Sequence, residues 1–258
     1  MLQYLVILLD DTSVSYCHYD NRKSEHRLIS LENLKAGILF AMKENLMLQF
    51  VYPHYELPQA YKDAIETIDH SKIAPVEYRD EADVVVLDDW EQLSVSGCDI
   101  QKTYVLRTGK TGFFKNYTIL NEVLDKVLRL NVVLVDIDTF TESDFDIYKS
   151  VLDELALKLK GMYLEGMAPQ LNLLTDRMML DKMNNCNAGV ENITLAPDGK
   201  FYICPAFYLA DEQCVVAHLE RNASRSLLLD IRRYGTFLPG HEIKEITYLD
   251  PFDVRQEF

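Results

Sequence analysis

At 258 residues the chain is long enough to bury a sizeable core, and its 48% apolar and 10% aromatic content excludes a disordered polypeptide. A formal net charge of −15 excludes the clustered Lys and Arg that binding to nucleic-acid phosphates requires. No run of about 18 apolar residues is present to cross a membrane, and five unevenly spaced cysteines do not form the pattern of a secreted disulfide framework.

The amino-terminal stretch Met1 to Leu9 lacks the basic region and small-residue cleavage site of a signal peptide, so a cytoplasmic, reducing compartment is expected. Leu2 to Leu9 reads as a buried strand closing on Asp10-Asp11. Ser30 is placed to cap a helix from about Leu31 to Asn45, with Leu34, Ile38 and Ala41 on one face. Met47 to Tyr52 returns as a strand stopped by Pro53, and Leu57-Pro58 opens a helix to about Ile68. Ala82 to Leu87 and Thr103 to Leu106 are further strands, ending at Asp88-Asp89 and Arg107-Thr108.

A helix from about Thr118 to Leu128 then leads into a strand from Asn131 to Val135 that ends at Asp136-Ile137-Asp138. Ser143 to Lys160 is a long amphipathic helix, and Leu171 to Leu174 a strand ending at Asp176. Strands alternating with helices at short intervals are the pattern of parallel βα units. Thr108-Gly109-Lys110-Thr111-Gly112 mimics the end of a phosphate-binding loop, but Tyr104 stands where the required leading glycine should be, so it reads as a loop. Past Gln213 a helix is expected to continue to about Arg233.

Most of these strands release a charged residue at the carboxyl end: Asp10, Asp88, Arg107, Asp136 and Asp176. Ligands of open sheets and barrels bind at that end, which makes Asp10, Asp88 and Asp136 candidate catalytic groups. Together with Asp138 they would hold Mg2+ if the fold made them converge.

The richest stretch runs from Cys186 to Cys204. Ile193-Thr194-Leu195 and Phe201-Tyr202-Ile203 flank Pro197-Asp198-Gly199-Lys200, which reads as a hairpin with a cysteine at each end. Two thiolates brought to one point are what a metal or iron–sulfur cluster needs. Cys214 and His218 extend the set: Cys-x3-His on a helix places both side chains on one face, and three thiolates with an imidazole make a tetrahedral zinc site.

Cys186, twelve residues, Gly199, four residues and Cys204 resemble the opening of the SPASM domain, the cysteine-rich extension of radical SAM peptide-modifying enzymes. The segments Leu5 to Ser13, Asn184-Asn185-Cys186 and His218 to Ser224 resemble more narrowly the CXXX-repeat peptide maturases, a radical SAM-like family without the radical SAM cysteine motif. The resemblance implies an α/β fold, an incomplete (βα)6 barrel over residues 1–180 followed by a SPASM-like part over 181–258. It implies a partner peptide, ribosomally made with cysteine at every fourth position, and Cys186, Cys204 and Cys214 as ligands to an auxiliary iron–sulfur cluster or zinc.

Two departures bear on that expectation. The stretch Asp10 to Asp20, where a radical SAM enzyme carries Cys-x3-Cys-x2-Cys, holds only Cys17, and one thiolate cannot hold a four-iron cluster, so S-adenosylmethionine is not expected. The dense cysteine run of a full SPASM domain is missing between Cys204 and Cys214. Three functions follow as expectations: a peptide maturase, a recognition module that delivers the peptide to a radical SAM partner enzyme, or a divalent-metal hydrolase or transferase working through the strand-end Asp residues.

Overall fold

The computed structural model describes residues 2–23, 26–93, 97–178 and 188–209, together with the short strand 215–218. In chain order the elements are β1 (Tyr4–Leu8), α1 (Leu31–Glu44), β2 (Met47–Val51), α2 (Gln59–Ile65), β3 (His70–Pro75), β4 (Val84–Leu87) and β5 (Thr103–Thr108). There follow α3 (Lys110–Asn116), α4 (Leu120–Val123), β6 (Arg129–Leu134), α5 (Glu142–Leu164), α6 (Thr175–Met178), β7 (Asn192–Leu195), β8 (Lys200–Tyr202), α7 (Pro205–Leu209) and β9 (Val215–His218). The chain divides into two compact units, one of Met1–Val14, Tyr19–Lys72 and Asn185–Phe258, the other of Ser15–His18 and Ile73–Asn184.

In the first unit β1 pairs in parallel with β2 on one side and β7 on the other, Tyr4 lying opposite both Met47 and Asn192. A strand flanked this way is covered on both faces, which is why Leu5 to Leu9 read as an unbroken apolar run: Leu5, Ile7 and Leu8 are fully buried. Each such side chain contributes roughly 1.5–3 kcal/mol relative to exposure. Helix α1 starts because the Ser30 side chain accepts the Asn33 N–H, and it ends where Asn45 turns left-handed. Its buried face carries Leu34, Gly37, Ile38 and Ala41. Gly37 is small of necessity, since a Cβ there would stand 2.5 Å from Leu195 Cδ2.

Strand β7 turns back into β8 as an antiparallel hairpin, and β9 adds antiparallel to β8. The expected turn is present: Gly199 takes a φ of +80° and donates to the Ala196 carbonyl at 2.9 Å. The helix expected from Gln213 is instead strand β9 at Val215–His218, with His218 opposite Lys200. Consecutive β-branched valines favour extended backbone, which outweighs a weak helical periodicity. The remainder of that expected helix lies outside the described residues.

In the second unit β3, β4, β5 and β6 pair in parallel in that order, Val84 opposite both Ile73 and Thr103. Tyr104, Leu106 and Phe113 are fully buried between the sheet and its helices. Helix α5 opens with a capping box in which Thr141 and Asp144 each satisfy the other's backbone N–H. It buries Tyr148, Val151, Leu155, Leu159 and Met162 at helical spacing.

Four local expectations change in this unit. Strand β3, which no expectation included, occupies His70–Pro75. The helix expected over Thr118 to Leu128 is shorter: a 3-10 turn at Tyr117–Ile119 leads into α4, which ends at Val123, while α3 precedes the expected span. Residues 108–112, expected as a loop, hold the Gly109 cap and the first turn of α3. Leu171 to Leu174 is a turn into α6, because the Leu171 carbonyl accepts from both the Thr175 N–H and hydroxyl, at 2.8 and 2.9 Å.

Leu171 keeps one parallel bridge to Leu130 on β6. Beside it the Asn172 side chain accepts the Val132 N–H at 2.8 Å and donates to the Val132 carbonyl at 3.0 Å, standing in for a peptide group of a neighbouring strand. The fold is α/β with parallel strands in each unit, consistent with an incomplete βα barrel. Among the described residues no helix is long and apolar enough to cross a membrane.

Candidate functional site

Strand β1 ends at Leu8, and Leu9 is still held by the Val51 carbonyl of β2 at 3.1 Å. The segment Arg27 to Ile29 runs antiparallel beside it, with Ile29 N–H donating to Leu9 O at 2.8 Å and Asp11 N–H to Arg27 O at 3.1 Å. This pairing carries His26 to Asp10. The Asp10 carboxylate is fully buried and accepts from Thr12 N–H at 2.8 Å, Thr12 Oγ1 at 2.6 Å and Tyr55 Oη at 2.8 Å. His26 Nδ1 lies 3.1 Å from Asp10 Oδ2, and the imidazole stacks on Tyr55 with ring centroids 4.5 Å apart. Ser13 fixes the turn, accepting the Asp10 N–H at 3.0 Å and donating to Val51 O at 2.8 Å.

Asp11, also buried, accepts the Tyr208 hydroxyl from α7. Burial pushes the Asp11 carboxyl above its ordinary value, while the Tyr208 bond and the positive Arg27 and Lys23 pull the other way. The Lys23 ammonium sits over the Tyr208 ring, 4.4 Å from its centroid. Tyr202 stacks beside Tyr208 at 5.2 Å and donates to Asp198 Oδ2 at 2.8 Å. Burial and these carboxylate acceptors push both phenols up, so each stays a protonated donor.

The other strand-end charges are arranged differently. In the second unit Arg107 donates to the carbonyls of Ser15, at 3.1 Å, and Cys17, at 2.5 Å, and lies 3.8 Å from the exposed Asp88. Asp136 accepts the Lys110 N–H with both oxygens, at 2.9 and 3.1 Å, and so caps α3. Asp176 pairs with Arg129 at 2.5 Å. Asp138 lies in the short 3-10 turn that follows Asp136. Among the described residues no three His, Cys, Asp or Glu side chains converge as a metal site would require, so the Mg2+ arrangement of Asp10, Asp88, Asp136 and Asp138 is not drawn together there.

Cys204 is half-buried between β8 and α7. Cys186 and Cys214 lie outside the described residues. His218 stands on β9, so the expected helical Cys-x3-His face does not form. Cys17 is the one thiol between Asp10 and Asp20, and the donors there do not fit a four-iron cluster. The residues that do assemble around Asp10, namely His26, Tyr55 and Thr12, carry no spacing signal, because contacts span up to 45 residues.

No protein-family model and no curated protein matches the chain. Among solved structures it is similar to anSMEcpe with bound AdoMet and Cp18Cys peptide, with a TM-score of 0.57 and 12% identity over 92% of this chain and 83% of that one. It is also similar to Streptococcus suis SuiB bound to the precursor peptide SuiA, with a TM-score of 0.51 and 13% identity over 90% of this chain and 67% of that one. The chain has a radical SAM-like fold. Both neighbours hold a bound peptide. At these identities the radical SAM-like fold is what is shared, and the CXXX-repeat resemblance rests on the sequence segments that carry it.

Proposed function

We propose that the chain acts in the maturation of a ribosomally synthesised cysteine-repeat peptide, as a degenerate radical SAM/SPASM-like protein that does not cleave S-adenosylmethionine. The observation that carries this reading is the turn after β1. It lies in a fold shared with peptide maturases, yet its Asp10-Asp11-Thr12-Ser13 segment is held by its own side chains and by Tyr55 and Tyr208. Where a cluster loop would need three thiolates, the stretch supplies Cys17 alone.

In this reading residues 1–180 form the barrel that receives the peptide, and residues 181–258 carry the SPASM-like hairpin. Cys186, Cys204 and Cys214 would hold an iron–sulfur cluster or zinc, and the chain works in the cytoplasm. A second reading, recognition and delivery of the peptide to a radical SAM partner enzyme, is favoured by the same single-thiol turn.

Anaerobic purification with metal and sulfide analysis, paired with calorimetric titration of a synthetic peptide bearing cysteine at every fourth position, tests both. Iron and sulfide that disappear in Cys186→Ser, with peptide binding, support the maturase. Peptide binding without metal supports the recognition module. Absence of both metal and peptide binding sinks the two together.

A further inference from the structure

A buried carboxylate bonded to Nδ1 of a histidine fixes the ring's tautomer, leaves Nε2 with its lone pair outward, and stabilises the imidazolium that forms when Nε2 takes a proton. Asp10 and His26 have this geometry. The carboxylate is fully buried and the 3.1 Å contact is to Nδ1, while the imidazole side chain is 57% exposed. Tyr55 acts on both partners, bonding Asp10 Oδ2 at 2.8 Å and backing the ring at 4.5 Å. Thr12 fills the other Asp10 oxygen with two bonds, so the carboxylate cannot swing away. Among the described residues nothing bonds Nε2.

A surface histidine serving only packing has no need of a desolvated carboxylate behind it and an aromatic face beside it. The location adds to this, because Asp10 and Tyr55 follow the carboxyl ends of β1 and β2, the side on which open α/β sheets take ligands.

We propose that Asp10 and His26 form a proton-transfer dyad that activates a thiol of the bound peptide. The inference rests on the peptide reading above for its substrate. In the step, His26 Nε2 takes the proton from a cysteine S–H: the S–H bond breaks, an N–H bond forms, and the electron pair stays on sulfur as a thiolate. The proton goes to Nε2 alone, and the Asp10 contact with Nδ1 is kept throughout. No oxidant or reductant enters. His26 is the group that meets the substrate, and Asp10 is a positioning residue.

Nitrogen-15 NMR of the imidazoles of the full-length protein reads the dyad directly. The Nδ1–H form is expected at His26, replaced by the Nε2–H form or a mixture in Asp10→Asn. An Nε2–H form in the unmodified protein overturns the dyad. Iodoacetamide alkylation of the cysteine-repeat peptide, at saturating protein, reads the chemistry. General-base assistance is expected to raise the thiol rate about tenfold or more over free peptide. His26→Gln, an exposed position that leaves the core intact, should return that rate to the free-peptide value when the protein is again held at saturation. An equal rate in His26→Gln with binding intact overturns the dyad and leaves recognition standing. Failure of the peptide to bind the unmodified protein overturns the peptide reading, and with it the thiol role assigned to His26.

Discussion

The two units handle strand-end charge in opposite ways. In the first, Asp10 and Asp11 are buried and held by neutral hydroxyls and an amide from Thr12, Tyr55 and Tyr208. In the second, Asp88 faces Arg107 nearer the surface, Asp136 caps a helix, and the helix residues Asp144 and Asp176 pair with Lys110 and Arg129. The first arrangement costs desolvation and returns a rigid, aimed carboxylate. The second costs little and contributes little beyond local order. Only the buried kind can hold a histidine in one orientation.

The sharpest way to break this comparison is an alanine series across the three acids. Asp10→Ala strands the part-buried donors of Thr12 and Tyr55 and is expected to cost about 1–3 kcal/mol. Asp136→Ala removes the α3 cap and should cost about 1 kcal/mol. Asp88→Ala, an exposed partner, should change stability by less than about 0.5 kcal/mol. Urea denaturation of the three variants checks the ranking, and a cost for Asp88→Ala matching Asp10→Ala would remove the contrast.

The hairpin gives a smaller effect. Gly199→Ala forces a Cβ onto a residue at φ +80° and against the Asn33 side chain. A loss of about 1–2 kcal/mol is expected by the same measurement.

The smallest effects are in the pH dependence, where the two units should show opposite signs. Asp11 is raised by burial, so its ionised form weakens the fold at neutral pH, and that penalty fades as pH falls through the raised value and is gone below 3.8. Asp11→Asn should therefore be more stable than the parent at pH 7, with the gap closing toward pH 4. Asp144 is lowered to about 2, first by the Lys110 bond and then by Thr141. Its contribution is present above 3.8 and is lost as pH falls through about 2. Asp144→Asn should be slightly less stable at pH 5 and equal to the parent below pH 2, which thermal melts across that range would check.

What could be read in the sequence was local. Ser30 announced α1, the apolar run after Leu2 announced β1, and Asp198-Gly199 announced the hairpin, because each signal lies within the element that it sets. Strand β3 escaped notice because His70, Ser71, Lys72 and Pro75 are poor strand formers, and only burial of Ile73 and Ala74 pays their way. The start of α3 was hidden because its cap, Asp136, lies 26 residues downstream. The His26 site was hidden for the same reason, and the Tyr208 bond to Asp11 spans 197 residues. The radical SAM-like fold agrees with the expected α/β class, while the roles of Cys186 and Cys214 rest on the sequence resemblance.

Asn172 has a consequence for how this protein behaves in company. Open hydrogen-bonding groups on the outer side of β6 would template a stray strand from another molecule, and Leu130 there is already bonded to Gln170 and Asn172. By turning its side-chain amide onto Val132, in both directions, Asn172 fills that position without adding a strand that could itself be extended. Strand β6 thus carries its own terminator at Val132, and Asn172→Ala is expected to raise self-association, which light scattering would read.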